Sequence, residues 1–287
     1  MHDPFDHVRD HSEWHFLAND LTGEWTIQLP VLFEIPGFSL FGYDFGPHRF
    51  QLTKFMVLEV IAALVIAAIY IPLARRARTG EPPKGYLWNT FEAVLTFLRD
   101  EVAKPNIGEE EADKYVPFLW TLFLFILACN LLGMLPFLGS PTQDFSVTLT
   151  LAFIAFCAIH GYAIAAHGLG HYLQSYIPHI DVPWILAIFL IPMIVVIEVA
   201  GHFIKAFVLA VRLFANMFAG HTVLAFILFF ILMARQASPL LLGAITLGSV
   251  LGVTALSLLE LFVAFLQAFI FTFLTSLFLG STLHPEH

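Results

Sequence analysis

The sequence predicts an all-α integral membrane protein with three roughly perpendicular spans, a surface amphipathic helix and a long, steeply tilted C-terminal helical hairpin. Three observations carry that expectation. Of the 287 residues, 59% are hydrophobic and only 12% charged, about half the charged share of an ordinary soluble domain. Mean hydropathy is +0.81, so water is not the solvent for most of the surface. The apolar residues also gather into continuous runs, two of which are far longer than one membrane crossing requires.

Residues 1–53 read as a polar, acidic, irregular tail. Up to residue 50, eight Asp and Glu face only Arg9 and Arg49, and Pro30, Pro36 and Pro47 interrupt the segment. Its acidic, His-rich start lacks the basic residues and apolar stretch of a cleaved signal. The first span is 54–74, with Phe55–Leu73 apolar but for Glu59, about enough for a ~30 Å core. It ends at Arg75, Arg76 and Arg78, which marks that end as cytoplasmic and puts the tail outside.

Residues 75–115 form a cytoplasmic segment. Trp88, Phe91, Val94, Leu95, Leu98 and Val102 recur at helical spacing with charges between them. That pattern predicts an amphipathic helix on the membrane surface or against a partner. Lys104-Pro105-Asn106 is expected to end it, and Glu109–Asp113 to be a solvated acidic run. Residues 116–166 form a transmembrane pair. Val116–Leu135 returns outward, the loop Pro136–Asp144 has no Lys or Arg, and Phe145–Ala166 crosses back.

By this count the loop 167–183 is cytoplasmic, and 184–283 is the tilted hairpin, with the C-terminus cytoplasmic. Trp184–Met233 has a weak break near Gly201, Leu240–Leu279 follows, and Ala237-Ser238-Pro239 makes the turn. As helices these runs are on the order of 60–75 Å long, so they must tilt, bend or lie partly along the membrane. No repeat at a fixed period supports an inverted-repeat transporter. Cys129 and Cys157 fall in apolar runs and are expected to be small buried hydrophobes. A net charge of −9 argues against nucleic-acid binding.

Ionisable residues inside the apolar runs are functional candidates, because each costs several kcal/mol to insert. Lys54 and Glu59 lie near the outer end of the first span and Arg235 beside the turn, where all three are expected to reach the interface. Arg212 lies far from either end of its run. Its guanidinium stays protonated in a protein, so it must face a wet cavity, a carboxylate or both. The plainer alternative is a structural ion pair with Glu198 or Glu260. On a straight helix Lys205 lies about 20° from Arg212, and Glu198 and Asn216 about 40°, which makes one polar stripe. His221 lies about 180° away.

On the last helix Glu260 and Gln267 share a face with Ser249. Folding back at about residue 237 would put a position near 262 level with Arg212, so that Glu260 and Gln267 bracket it in depth. The order His221, Glu260, Gln267, Arg212 then describes a polar path descending from outside to the membrane middle.

Arg212-Leu213-Phe214-Ala215-Asn216-Met217-Phe218-Ala219-Gly220-His221 and Leu266-Gln267-Ala268-Phe269-Ile270-Phe271 resemble the signatures of subunit a of F-type ATP synthases. Glu198 and Lys205 upstream, and Asp144-Phe145-Ser146-Val147-Thr148-Leu149, resemble the same family. The likeness runs from about residue 50 to the end. It implies a stator subunit that carries protons to and from a ring of c subunits through two offset half-channels, beside peripheral-stalk b subunits. It implies that Arg212 is the essential charge opposite the ring carboxylate. His221 and Glu260 would be the paired polar groups of the outer half-channel, with Gln267 and Asn216 near the arginine. Glu198, His202 and Lys205 would line or flank the inner one. A bacterial cytoplasmic membrane is the expected location. The chain has no Gly-rich phosphate-binding motif and is not expected to handle ATP itself or to carry a cofactor.

Two other readings remain. Thirteen histidines, with His167 and His171 at ligand-like spacing and His7, His11 and His15 at i, i+4, i+8, suggest a membrane metalloenzyme. A self-contained proton channel or secondary transporter would explain Arg212 and Glu260 but not the signature strings.

Overall fold

A computed structural model describes residues 13–16, 25–35, 38–40, 43–45, 48–78, 85–135, 138–176, 184–234 and 238–284. The expectations for His7, His11 and Arg235 lie outside them. Six short strands occupy part of the tail: β1 Glu13–Phe16, β2 Trp25–Gln28, β3 Val31–Ile35, β4 Phe38–Leu40, β5 Tyr43–Phe45 and β6 His48–Gln51. They pair antiparallel as β1–β2, β3–β6 and β4–β5. The tail is therefore not wholly irregular. Aromatic and β-branched residues favour extended backbone, and the prolines and glycines that suggest irregularity punctuate these pairs in the sequence. His15 sits in β1 opposite Thr26, so it is not part of a helical His triplet.

The rest of the described chain is helical: α1 Lys54–Arg78, α2 Tyr86–Phe97, α3 Lys104–Ile107, α4 Ala112–Gly133, α5 Phe145–His167, α6 Leu169–Gln174, α7 Trp184–Met233 and α8 Pro239–Leu283. Among the described residues five helices are long and apolar enough to cross a membrane: Lys54–Arg75, Ala112–Gly133, Phe145–His167, Leu186–Met233 and Pro239–Leu283. Helices α7 and α8 have 50 and 45 residues, about 75 and 68 Å of helix. Helix α7 passes Gly201 without a break and carries Pro192 inside it.

The chain divides into two compact units, one of Met1–Ala67, Ala128–Asp144 and Met217–Ala264, the other of Ala68–Leu127, Phe145–Asn216 and Phe265–His287. In the first, Phe55 and Leu58 are buried and pack with Leu138. Lys54, expected at the interface, is 5% exposed, because this first turn of α1 is packed rather than solvated. The loop before Asp144 is also buried in part. Asn130 donates to the Ala264 carbonyl at 3.1 Å and accepts from Thr142 at 2.6 Å, and Ser140 donates to the Cys129 carbonyl at 3.2 Å. Buried polar groups need such partners. Cys129 is buried as expected, whereas Cys157 is exposed, on the face of α5 that also exposes Phe153 and Ile154.

In the second unit part of the apolar side of 88–102 packs within the chain itself. Leu98 and Val102 are buried with Phe123, Ile126, Leu213, Ala268 and Phe271. The Trp120 indole donates to the Leu95 carbonyl at 2.8 Å, and Ser276 Oγ to the Val102 carbonyl at 3.2 Å. Lys104-Pro105-Asn106 does not end the helical path. A π-helical stretch, Leu98–Ala103, leads into α3, and the Lys104 N–H reaches back five residues to the Arg99 carbonyl. Proline lacks the N–H that an α-turn needs, and the wider turn just before it absorbs the change of register. Arg99 grips Asp113 through two bonds of 2.6 Å. The bonded carboxylate raises the arginine's pKa above its ordinary value.

Candidate functional site

Two polar pairs join α7 to α8, one in each unit. In the first unit His221 Nε2 lies 3.6 Å from Glu260 Oε1, and both side chains are 7% exposed. A Cβ on the neighbouring Gly220 would meet Glu260 Oε1 at 2.7 Å. The absence of a side chain at 220 is what lets this carboxylate come so close to α7. Gly220→Ala is therefore expected to push the carboxylate off His221 without unfolding either helix, since the clashing atom ends a flexible side chain. The loss expected is that of one charged contact at 3.6 Å, a fall in thermal stability of about 1 kcal/mol. An unchanged unfolding midpoint of the purified protein would show that the pair tolerates displacement.

In the second unit Asn216 Nδ2 donates to Gln267 Oε1 at 2.7 Å. Gln267 is fully buried, and its Nε2 has no hydrogen-bond partner. An unpaired buried amide costs about 1–3 kcal/mol, so Gln267 is a polar group held in place at some expense. Its pairing with Asn216 also corrects the expected depth. The residue level with Arg212 lies one helical turn beyond Gln267, not near 262, so Glu260 and Gln267 both precede that level along α8 and do not bracket it. The reason is the register of the pair: α8 is displaced along α7 relative to a symmetric fold-back at 237.

Arg212 is half-buried and follows Leu209 and Ala210, which are buried, on an otherwise apolar stretch. None of the ion pairs found among the described residues involves Arg212. Glu198 is half-buried and Lys205 exposed. The Lys205 ammonium lies 5.1 Å from the Phe278 ring centroid, a cation–π distance. His202 Nδ1 lies 3.0 Å from the Glu198 carbonyl.

His202 is also the edge of a cluster that the sequence reading overlooked. Its ring lies 5.2 Å from His160 and 5.7 Å from Tyr176. His160 Nδ1 is 2.6 Å from Tyr172 Oη, which is 2.5 Å from Tyr176 Oη. His160 is an ionisable group inside an apolar run, the same signal that picked out Arg212, and that signal alone was enough to find it. The tyrosines had no such signal, because they lie in a polar loop in the sequence. Of the proposed His pair 167 and 171, His167 Nε2 meets the Leu283 carbonyl at 2.8 Å. Among the described residues no group of three or more His, Cys, Asp or Glu is placed to hold a metal ion.

The sequence model of the ATP synthase A chain family matches residues 56–280. A protein named ATP synthase subunit a from Myxococcus xanthus is 42% identical over 254 residues, 88% of this chain and 78% of that protein. One named ATP synthase subunit a 2 from Chlorobaculum tepidum is 37% identical over 284 residues, 98% of this chain and 72% of that protein. A third, named ATP synthase subunit a, from Anaeromyxobacter dehalogenans is 40% identical over 243 residues, 83% and 60% of the two chains.

Proposed function

The chain belongs to the ATP synthase A chain family, and from that premise we propose that it is the stator subunit that passes protons to and from a rotating ring of c subunits. It is a multi-pass membrane protein with five helices of spanning length and composition. The observation that carries the mechanism is Arg212, a permanent cation on an apolar helix that enters none of the ion pairs found among the described residues. Its natural counter-charge is a carboxylate on a partner, which in this reading belongs to the ring.

The physics then follows from one asymmetry. A protonated ring carboxylate is neutral and can face lipid, whereas an ionised one cannot. Opposite Arg212 the carboxylate's ionised form is favoured, so it gives up its proton to one half-channel. Rotation brings the next carboxylate to the arginine and returns the first to the lipid after it is reloaded from the other half-channel. A fixed cation also repels a bare proton, which opposes a direct leak.

His221 and Glu260 form the proton-accepting pair of the outer half-channel, and both can exchange protons along a wet path. Asn216 and Gln267 are neutral hydrogen-bonding groups near the arginine. Glu198, His202 and Lys205 line or flank the inner half-channel. The same reading places the N-terminal tail outside and the C-terminus in the cytoplasm, tilts the α7–α8 hairpin in a bacterial cytoplasmic membrane, and adds peripheral-stalk b subunits as partners.

The test compares wild type with Arg212→Ala in inverted membrane vesicles carrying the assembled complex. ATP-driven acidification is expected to vanish in the variant while the chain is still incorporated. Acidification at the normal rate would reduce Arg212 to a structural residue and remove the mechanism.

A further inference from the structure

We propose that Tyr176, Tyr172 and His160, with His202 beside them, form a proton relay serving the inner half-channel, so that α5 and α6 contribute to the path as well as the polar stripe of α7. This rests on the reading of the chain as a proton-carrying subunit.

Three observations point the same way. The first is continuity. Tyr176 Oη, Tyr172 Oη and His160 Nδ1 are linked by contacts of 2.5 and 2.6 Å, which are strong hydrogen-bond distances. Every member both accepts and donates, and each bond can run in either direction. Burial raises the pKa of both phenols above its ordinary value, and for Tyr176 the Tyr172 hydrogen bond adds to it. They therefore stay hydroxyls, the form that can pass a proton on.

The second observation is placement. His160 and His202 line a cavity of ≈20 Å³ together with Lys205, Leu209 and Phe278. About 10–15 Å³ is enough for one water. Lys205 stands two turns from Arg212 on α7, and Leu209 one turn from it, so the cavity lies on the approach to the arginine. When neutral, His202 donates its Nδ1 proton to the Glu198 carbonyl, which leaves Nε2 as an acceptor.

The third is the cost of the alternative. If these groups only pinned the loop after α5, apolar side chains would do so without burying an imidazole in a membrane helix. Tyr172 is 9% exposed, and Tyr176 is half-buried. The chain therefore runs from a more open phenol to a closed one.

The transfer balances without any charge left behind. A hydronium ion gives a proton to Tyr176, leaving neutral water, as Tyr176 gives its own to Tyr172. Tyr172 gives its proton to His160 Nδ1, and His160 releases the proton on its other nitrogen into the cavity. The reverse order carries a proton the other way and restores the starting tautomer.

The experiment uses inverted vesicles with the assembled complex and follows ATP-driven acidification. Tyr172→Phe removes one oxygen and keeps the ring, and is expected to slow transport about tenfold. His160→Ala should slow it at least as much, and added imidazole should restore a several-fold part of the loss. A merely structural contact would not respond to a diffusible proton carrier. Rates within twofold of wild type for both variants would overturn the relay, as would slowing that imidazole does not relieve. Arg212→Ala is run alongside. If it abolishes transport while the relay variants pump normally, only the relay is lost. If it too pumps normally, the reading of the chain as this subunit fails first.

Discussion

Changing Arg212 to lysine is expected to lower coupled proton transport by about 100-fold or more while the complex still assembles. A hundredfold loss corresponds to about 2.7 kcal/mol. The substitution keeps a nominal cation, so charge alone does not predict the loss. What changes is how firmly the charge persists. A guanidinium stays protonated at any working pH and presents five donors in a flat fork that matches a carboxylate. An ammonium is more strongly hydrated and becomes neutral when desolvated. Arg212 is half-buried on an apolar helix, the setting in which the two cations diverge.

A lysine that loses its proton there neither favours an ionised ring carboxylate nor repels a passing proton. The measurement is vesicle acidification, with ATP hydrolysis and chain content recorded in the same preparation. Transport within a few-fold of wild type would mean that any positive charge suffices and that the fork geometry is irrelevant.

Gly280→Ala is expected to cost about 1–3 kcal/mol of stability, the range for overpacking, and to fall at its upper end because the clash cannot relax. A Cβ at this position would lie 1.9 Å from the Asn106 carbonyl oxygen, 2.8 Å from its carbon and 3.5 Å from Ile107 Cα. All three are backbone atoms, so no rotamer change relieves the clash. The contact is one of several that hold the end of α8 to α3. Ser276 donates to the Val102 carbonyl at 3.2 Å, and His284 Nε2 lies 3.1 Å from the Ile107 carbonyl.

Separating these helices would also open the buried cluster of Ala103, Ile107, Tyr115, Leu119 and Leu279. Thermal unfolding of the detergent-purified complex should show the loss, together with a lower amount of chain in the membrane. Gly243→Ala is the control, because a Cβ there meets nothing within 4 Å. Equal stability of the two variants would mean that α3 and α8 are not in contact in the assembled protein.

Much of the helical layout was legible because its signal is local. Hydropathy set the runs that became α1, α4, α5, α7 and α8, and the spacing of Trp88, Phe91, Val94, Leu95, Leu98 and Val102 picked out the packed side of α2 and of the π-helical stretch after it. The tail's strands were not legible, since none exceeds five residues and periodicity needs a longer window. Pro105 misled for a different reason. Proline ends an α-helix through a missing hydrogen bond, but a π-helical turn just before it removes that requirement.

The candidate site divides in the same way. Arg212, Glu260, Gln267, His221 and Lys205 stand out as polar residues inside apolar runs, which is a one-dimensional property. Tyr172 and Tyr176 do not, because a tyrosine in a polar loop is ordinary. They matter only through His160, twelve residues before Tyr172.

By itself the sequence determined that this chain is a helical membrane protein, which runs are long and apolar enough to span, and which polar residues sit within them. Those follow from the cost of exposing backbone and charge to lipid, which each segment meets alone. Tertiary structure alone decided the register of α8 along α7, and with it the pairing of Gln267 with Asn216 and of Glu260 with His221. It also decided the seat of α8 on the backbone of α3 and the closure of Tyr172 onto His160. Such pairings depend on side-chain volumes at helix contacts, where the missing side chain of one glycine admits a group that a Cβ would exclude, and no local pattern in the chain records that.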